Sequence, residues 1–303
     1  MYSKIKNKSK LYRREAIEGY LFALPWLIGL CTFTAYPLIA SFVYSFFDYN
    51  VYSYMKWIGL GNYISLIKSD ELFWTSLYNT VYYTIFAVPL GMIVGLAIAV
   101  LLNQNIKGLA LFRSIYYLPA VISGVAVSIL WIWVLDPNFG LIATILGYLG
   151  INSPNWLGDP LWAKPALILM SLWGAGGSMI IYLSGLQSVP TELYEAARID
   201  GANSFQCFLK ITIPMISPVL LFTLITGLIG SFQVFTQAYV MTNGGPLNST
   251  LFYVLYLYRK AFAFMQMGNA SAMAWILALI TGILAYLIFR TSSKWVYYSG
   301  GLK

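Results

Sequence analysis

Residues 185–214 read GLQSVPTELYEAARIDGANSFQCFLKITIP, a charged and turn-rich stretch between two long apolar runs. Pro190 suits the first turn of a helix, where its missing N–H costs nothing. Glu192 and Glu195 favour the positive N-terminal end of that helix. Leu193, Ala196 and Ala197 share one face at i, i+3, i+4 spacing. The two alanines keep that face shallow, so another surface can approach closely. Gly201 suits a left-handed cap that stops the helix. A second helical stretch follows, with Phe205, Phe208 and Leu209 on one face, before Pro214 and Pro218 lead into the next run. The stretch predicts a short helix-turn-helix held at the cytoplasmic surface of a membrane. Composition alone also allows a blander reading, an amphipathic loop packed on its own protein.

Outward from this stretch the chain holds six apolar runs, each near the ~20 residues a bilayer core requires. They are 19–47, 78–102, 114–135, 165–186, 218–240 and 270–289, and none contains Asp, Glu, Lys or Arg. Of the 303 residues, 59% are apolar and 9% charged, where soluble domains average about 25% charged. These values exclude a soluble enzyme, a disordered chain and a disulfide scaffold. The predicted fold class is an all-α membrane protein with six transmembrane helices. The domain reading is a basic cytoplasmic tail at 1–18, one transmembrane domain at 19–303, and a loop at 187–217 between helices four and five. The first run is too long for a cleavable signal peptide, so it reads as an uncleaved anchor.

The net charge of +8 comes from 18 Lys+Arg against 10 Asp+Glu, and the basic residues lie between the runs. With the N-terminus inside, 13 of the 18 fall on the cytoplasmic side. The positive-inside rule then places both termini in the cytoplasm. No basic stripe accompanies a soluble fold, so no nucleic-acid partner is expected. The Arg259-Lys260 pair falls on the outer side, in an aromatic segment (252–267) that reads as lying along the outer interface. Trp131 and Trp133 read as members of the outer aromatic belt.

Much chemistry is missing. Histidine is absent and the two cysteines, Cys31 and Cys207, are far apart. A His/Cys metal site of about four ligands and a Ser–His pair are both excluded. The absence of ionisable groups inside the runs argues against a proton-driven carrier or a voltage sensor. It leaves open a sodium carrier built from carbonyls and hydroxyls. No G-x-x-x-x-G-K-[ST] loop occurs, so any ATP would be bound by another chain. Trp173–Gly177, with three glycines in four positions, reads as a broken helix lining a pathway.

The central stretch also carries a resemblance. Glu195-Ala196-Ala197, then Gly201, then Ile211-x-Ile213-Pro214 resembles the EAA motif of importer-type ABC permeases. Ile213 stands where leucine is usual. Gln187 to Pro190 before it, and Asp200-Gly201-Ala202 within it, are similar to the MalF-type carbohydrate permeases. Gly59 to Tyr63, Asn79-Thr80, Leu118-Pro119, Thr242 to Pro246 and Gly268 to Ala272 agree. The resemblance runs from about Trp57 to Lys294.

The resemblance implies a type I ABC importer permease fold in a bacterial or archaeal cytoplasmic membrane. It implies a second homologous permease subunit, two ATPase subunits that bind ATP and Mg, and an extracytoplasmic sugar-binding protein. The chain itself would be no enzyme and would bind no cofactor. The loop helix would dock in a groove of one ATPase. Glu195 would meet a basic group there, Ala196 and Ala197 would fit the groove, and Gly201 would make the turn. Asp200 is a further candidate, or a local cap. The family places its substrate contacts in the fourth and fifth spans. That makes Trp173, Gly174, Gly227, Gly230, Ser231, Phe232 and Phe235 the pathway candidates, with Gln233 and Gln237 behind them. The blander reading has the aromatics facing lipid or a neighbouring helix. The expected function is ATP-driven import of a sugar or oligosaccharide. The alternatives are an ABC permease for another solute, such as glycerol phosphate or a polyol, a stand-alone secondary carrier, and a membrane scaffold.

Overall fold

The computed structural model describes residues 2–52, 54–104 and 107–297, with side chains from residue 11 onward. Lys4, Lys6, Lys8 and Lys10 of the basic tail therefore lie outside the described side chains. The helices are α1 (Tyr2–Leu30), α2 (Tyr36–Tyr44), α3 (Gly61–Ser69), α4 (Glu71–Leu102), α5 (Leu109–Val121), α6 (Gly124–Val134), α7 (Leu141–Tyr148) and α8 (Pro160–Trp173). They continue as α9 (Gly176–Gln187), α10 (Thr191–Ile199), α11 (Ser204–Cys207), α12 (Ile213–Met215), α13 (Ser217–Phe232), α14 (Tyr253–Tyr258) and α15 (Met267–Ser292). The described strands are one antiparallel pair, with Phe47 opposite Trp57 and Asp48 opposite Lys56.

Leu11–Tyr44, Glu71–Leu102 and Met267–Ser292 are long and apolar enough to cross a bilayer unaided. Three further stretches qualify only as bent pairs: α5 with α6 at 99°, α8 with α9 at 47°, and Ser204–Met215 with α13 at 67°. Counted this way the chain is the all-α, six-span membrane protein expected. The chain forms two compact units, Met1–Ser65 with Lys260–Trp275, and Leu66–Arg259 with Ile276–Lys303.

Within the first unit a π-type turn at Cys31–Ala35 joins α1 to α2. Asn62 is buried, and its Nδ2 donates to the carbonyls of Ser45 and Phe47 at 2.8 Å each. It thereby ties the start of α3 to the end of the first span.

Within the second unit α4 is the axis, and α8, α9, α13 and α14 all pack on it. Its 32 residues span roughly 48 Å at 1.5 Å per residue, more than the ~30 Å hydrocarbon core. Asp70 caps it by accepting from the Phe73 N–H at 3.1 Å. Pro89 lies inside the helix without ending it, as bilayer helices tolerate when neighbours satisfy the freed carbonyl. A cluster of Ala99, Leu102, Met179, Tyr182, Leu186, Val189 and Ile216 seals the end of α4 against α9 and the approach to α13.

The bends depart from the straight runs that hydropathy suggests. The run at 114–135 breaks after Pro119, where Ile122 turns extended and Ser123 Oγ accepts from Ala126 N at 3.4 Å to restart a helix. The run at 165–186 breaks at Gly174, as its glycines suggest. Gly176 lets α9 cross α5, because a Cβ there would collide with the Tyr116 carbonyl. The run at 218–240 stops as a helix at Phe232, and a π-type turn at Ala238–Thr242 follows.

Of the aromatic segment at 252–267 expected along the outer interface, the beginning is packed inside the protein, whereas Phe262 and Phe264 are exposed. Tyr253 is 0% exposed, and Phe252, Leu255 and Tyr256 are buried beside it. The start of α4 holds this segment. Asn79 Nδ2 donates to the Asn248 and Leu251 carbonyls at 2.8 and 3.2 Å, and the Tyr253 N–H donates to Thr80 Oγ1 at 2.9 Å. Tyr256 OH donates to both Asp70 carboxylate oxygens at 2.7 and 2.6 Å. Burial, with the Asp70 hydrogen bond and charge, pushes the Tyr256 phenol well above its ordinary range.

Hydrogen bonds to charged groups contribute about 1.5–3 kcal/mol. Tyr256→Phe should therefore lower the stability of the purified protein by about that much. A raised phenol pKa adds stability that is complete below the unfolded value, roughly 10, and is lost as pH climbs above it. Thermal unfolding in detergent should fall above that pH for the native chain and fall less steeply for Y256F. An identical alkaline profile would remove the interaction from the account.

Candidate functional site

α10 is built to stand out from the protein rather than to sink into it. Pro190 precedes it as the cap residue, and Thr191 is its first helical residue. Glu192 in the first turn and Arg198 in the last complement the helix dipole. None of its residues is buried, and Ile199 is 87% exposed. Leu193 and Ala196 of the predicted shallow face are exposed, and Ala197 is half-buried.

The far end is closed by two paired motifs. Gly201 takes φ +80°, Ala202 N donates to Ala197 O at 2.9 Å, and Gly201 N donates to Arg198 O at 3.1 Å. This is the Schellman arrangement, which uses both otherwise orphaned carbonyls. Asn203 then opens the next helix in a reciprocal box with Gln206, at 2.8 and 2.9 Å. The N-x-x-Q spacing signals such a box, although the sequence reading did not use it. Asp200 sits at the C-cap and is exposed. Among the described residues, Glu195 and Asp200 form no ion pair and accept no side-chain hydrogen bond.

Tyr194 is the side chain that sequence reasoning missed. Its OH lies 2.9 Å from Thr212 Oγ1, and its ring packs on the cluster at the end of α4. A cavity of about 330 Å³ opens beside it, lined among others by Arg198, Ser204, Phe208 and Thr212.

A second cavity, about 260 Å³, lies between α4, α8, α9 and α13. Gly174, Gly227, Gly230 and Ser231 of the predicted pathway line it. Trp173 does not; it is 37% exposed and meets Trp131 edge to face at 6.1 Å. Trp131 is therefore half-buried and paired within the protein, while Trp133 stays exposed. Phe232 is 2% exposed and packed into the core, one position past Ser231 on the helix. Phe235 stacks on Tyr239 at 5.3 Å and tilts against Tyr258 at 5.1 Å. Gln233 is exposed and Gln237 half-buried.

The cavity also uses hydroxyls not singled out from sequence: Tyr83, Ser171, Ser178, Tyr182 and Thr223. Two of its hydroxyl pairs cross-link the walls, Tyr182 OH to Thr223 Oγ1 and Ser231 Oγ to Thr84 Oγ1, both at 2.9 Å. No Asp, Glu, Lys or Arg lines it. Apolar walls with a few converging hydroxyls suit an uncharged, hydroxyl-bearing solute.

The profile of the family described as "Binding-protein-dependent transport system inner membrane component" matches residues 87–298. The chain is 43% identical over 296 residues to the "Probable ABC transporter permease protein YesP" of Bacillus subtilis, covering 96% of each. It is 37% identical over 294 residues to the "Lactose transport system permease protein LacF" of Rhizobium radiobacter, covering 95% of this chain and 98% of that one. Its fold matches a chain of the bacterial alginate ABC transporter crystallised with an alginate-bound periplasmic protein, with TM-score 0.82 and 24% identity. That match covers 94% of this chain and 96% of the other.

Gly201 has open space around its Cβ position, so a side chain there pays only for the left-handed backbone, about 1–2 kcal/mol. Gly201→Ala should speed amide exchange through 194–203 with little change in global melting. Gly201→Asn, which tolerates that conformation better, should fall between the two. Equal protection in all three would show that the cap does not set the turn.

Proposed function

The chain belongs to the family of binding-protein-dependent transport system inner membrane components, and we propose that it forms half of the pathway of an ATP-driven importer for a sugar or oligosaccharide. It is a transporter permease subunit, not an enzyme. The proposed assembly adds a second homologous permease, two ATPase subunits that bind ATP and Mg, and an extracytoplasmic binding protein. The membrane is the cytoplasmic one of a bacterium or archaeon, with both termini and α10 on the cytoplasmic side.

One observation carries the reading: α10 and the cavity share a single packed cluster. Tyr194 of α10 rests on it, and Tyr182, a member of it, lines the cavity and bonds Thr223. A push on α10 is then transmitted through close-packed side chains rather than through a loose loop. The exposed Glu195, without an ion pair among the described residues, supplies the contact for a basic group on the ATPase. Ala196 and Ala197 present the shallow surface that enters its groove, Gly201 fixes the exit of the chain, and Asp200 offers a second acidic contact. ATP-driven closure then shifts the cavity between outward and inward access, since a partner acts only through differential contacts with the two states.

The uncharged lining supports a neutral sugar over glycerol phosphate, whose dianion would find no cation there. Gly174, Gly227, Gly230 and Ser231 make the inner surface of the pathway. Trp173 and Phe235 flank it, and Phe232 serves as packing.

In proteoliposomes holding the full complex, Glu195→Ala should lower uptake at least about ten-fold, the scale of losing one charge-assisted contact of 1.4 kcal/mol or more. ATP hydrolysis by the ATPases should continue but no longer respond to the binding protein. Uptake that is unchanged and independent of ATP would convert the reading to a stand-alone carrier.

A second variant tests the cavity. A Cβ at Gly230 meets nothing within 4 Å, so Gly230→Leu should fold normally and fill the space. Uptake should fall while basal ATP hydrolysis persists. Normal uptake with a filled cavity would move the pathway elsewhere.

A further inference from the structure

α4 carries a second surface pattern, unrelated to the cavity. Ile85, Phe86, Leu90, Ile93 and Leu101 are exposed and form a broad apolar stripe along one side of the helix. Tyr78 and Tyr82 continue that stripe to the end remote from α10, and Tyr78 is 63% exposed. Lys164 reaches over them from α8, its Nζ 5.0 Å from the Tyr78 ring centre and 4.9 Å from that of Tyr82. The same nitrogen donates to Asn79 Oδ1 at 3.0 Å. Two of its three donors have no hydrogen-bond acceptor, and no carboxylate pairs with it, among the described residues.

Aromatic rings and one amide orient an ammonium without neutralising it. The surroundings say what completes it. Trp162, two residues before Lys164 and exposed, stacks edge-on with Trp156 at 5.1 Å. Indoles and phenols gathered at one end of apolar helices mark headgroup level. Below that level, Tyr82 to Ile93 covers about 16 Å of helix, close to one ~15 Å leaflet. A cation at headgroup depth above one leaflet of bare apolar helix is complementary to a phosphate that carries an acyl chain.

We propose that Lys164, Tyr78 and Tyr82 form a binding site for an anionic phospholipid, with its phosphate on the ammonium and an acyl chain along Ile85, Phe86 and Ile93. The ammonium supplies the charge and two donors, the tyrosine rings fix its position, and Asn79 keeps it from swinging into water. Asn79 also holds the 248–251 carbonyls. The bound lipid therefore bears on the segment that packs over the start of α4. The site is independent of which solute crosses the membrane.

The test uses the full-length chain in nanodiscs of phosphatidylcholine with a minority of phosphatidylglycerol. Retained lipid is measured by native mass spectrometry after gentle release. The native protein should keep phosphatidylglycerol in preference to phosphatidylcholine. Lys164→Gln should lose about five-fold of that preference, the worth of one basic residue at an anionic surface, and Lys164→Arg should keep most of it. Equal preference in K164Q would overturn the proposal.

A photoactivatable phosphatidylglycerol on the native chain needs no variant. It should label the peptide containing Tyr78 and Tyr82, and labelling confined to other helices would overturn the assignment. Displacement of the lipid by inorganic phosphate or by glucuronate oligomers would give the site to a soluble anion instead. Protection of the stripe by a second copy of the chain or by a different permease would give it to a protein interface.

Discussion

A polar backbone group left without a partner in hydrocarbon costs several kcal/mol, and every break in a membrane helix must meet that cost locally. Three breaks in this chain are visibly managed. Ser123 accepts the Ala126 N–H, Gly174 and Ala175 donate back to Ser171 and Leu172, and Gln233 donates to Gly230. Two of the three border the cavity, at Gly174 and just beyond Ser231. The concavity exists because helices that stop short leave space where a straight helix would fill it. The hydroxyl pairs across its walls hold the helices at a set distance, and in the proposed function they would also give a solute a hydrogen-bonding surface.

The opposite economy governs α10. Its residues contribute no buried side chain, yet its C-terminal end is closed by the Gly201 turn, and the Asn203–Gln206 box opens the next helix directly after it. A short helix of nine residues is not stable by propensity alone. Here the dipole-matched charges, the Schellman turn and the Tyr194 anchor supply what burial does not. The result is a rigid projection whose exposed face remains available, which is the arrangement a docking element requires.

Much of this was readable from residue order. Charge-free runs of adequate length marked all six spans, and three glycines beside Trp173 marked the bend between α8 and α9. Pro190, Glu195, Ala196, Ala197 and Gly201 marked α10 and its turn. What could not be read depends on partners far away in the chain. The aromatic residues 252–256 have the composition of an interfacial belt. Phe252, Tyr253, Leu255 and Tyr256 are buried because residues of α4 and its cap, far earlier in the chain, receive them: Asp70, Asn79 and Thr80 through hydrogen bonds, Phe73 and Tyr83 through ring contacts. Phe232 and Ser231 are neighbours in sequence, but 100° of helix rotation sends one into the core and leaves the other at the cavity. The hydroxyls of Tyr83, Ser171 and Thr223 were overlooked because isolated polar atoms inside an apolar run carry no periodic signal.

The cavity is neutral, the outward-standing α10 carries acids without ion pairs among the described residues, and the remote end of α4 carries Lys164 over two tyrosines. Charge is costly to hold at membrane depth and cheap to hold at headgroup level, so a neutral path between charged ends is the arrangement of least cost. It also separates the partners by chemistry. In the proposed assembly a hydroxylated solute would find hydrogen bonds without competing ions, a basic protein groove would find Glu195, and an anionic headgroup would find Lys164. Each surface would then respond to its own partner, and in the proposed mechanism the packed cluster around Tyr182 would couple α10 to the cavity.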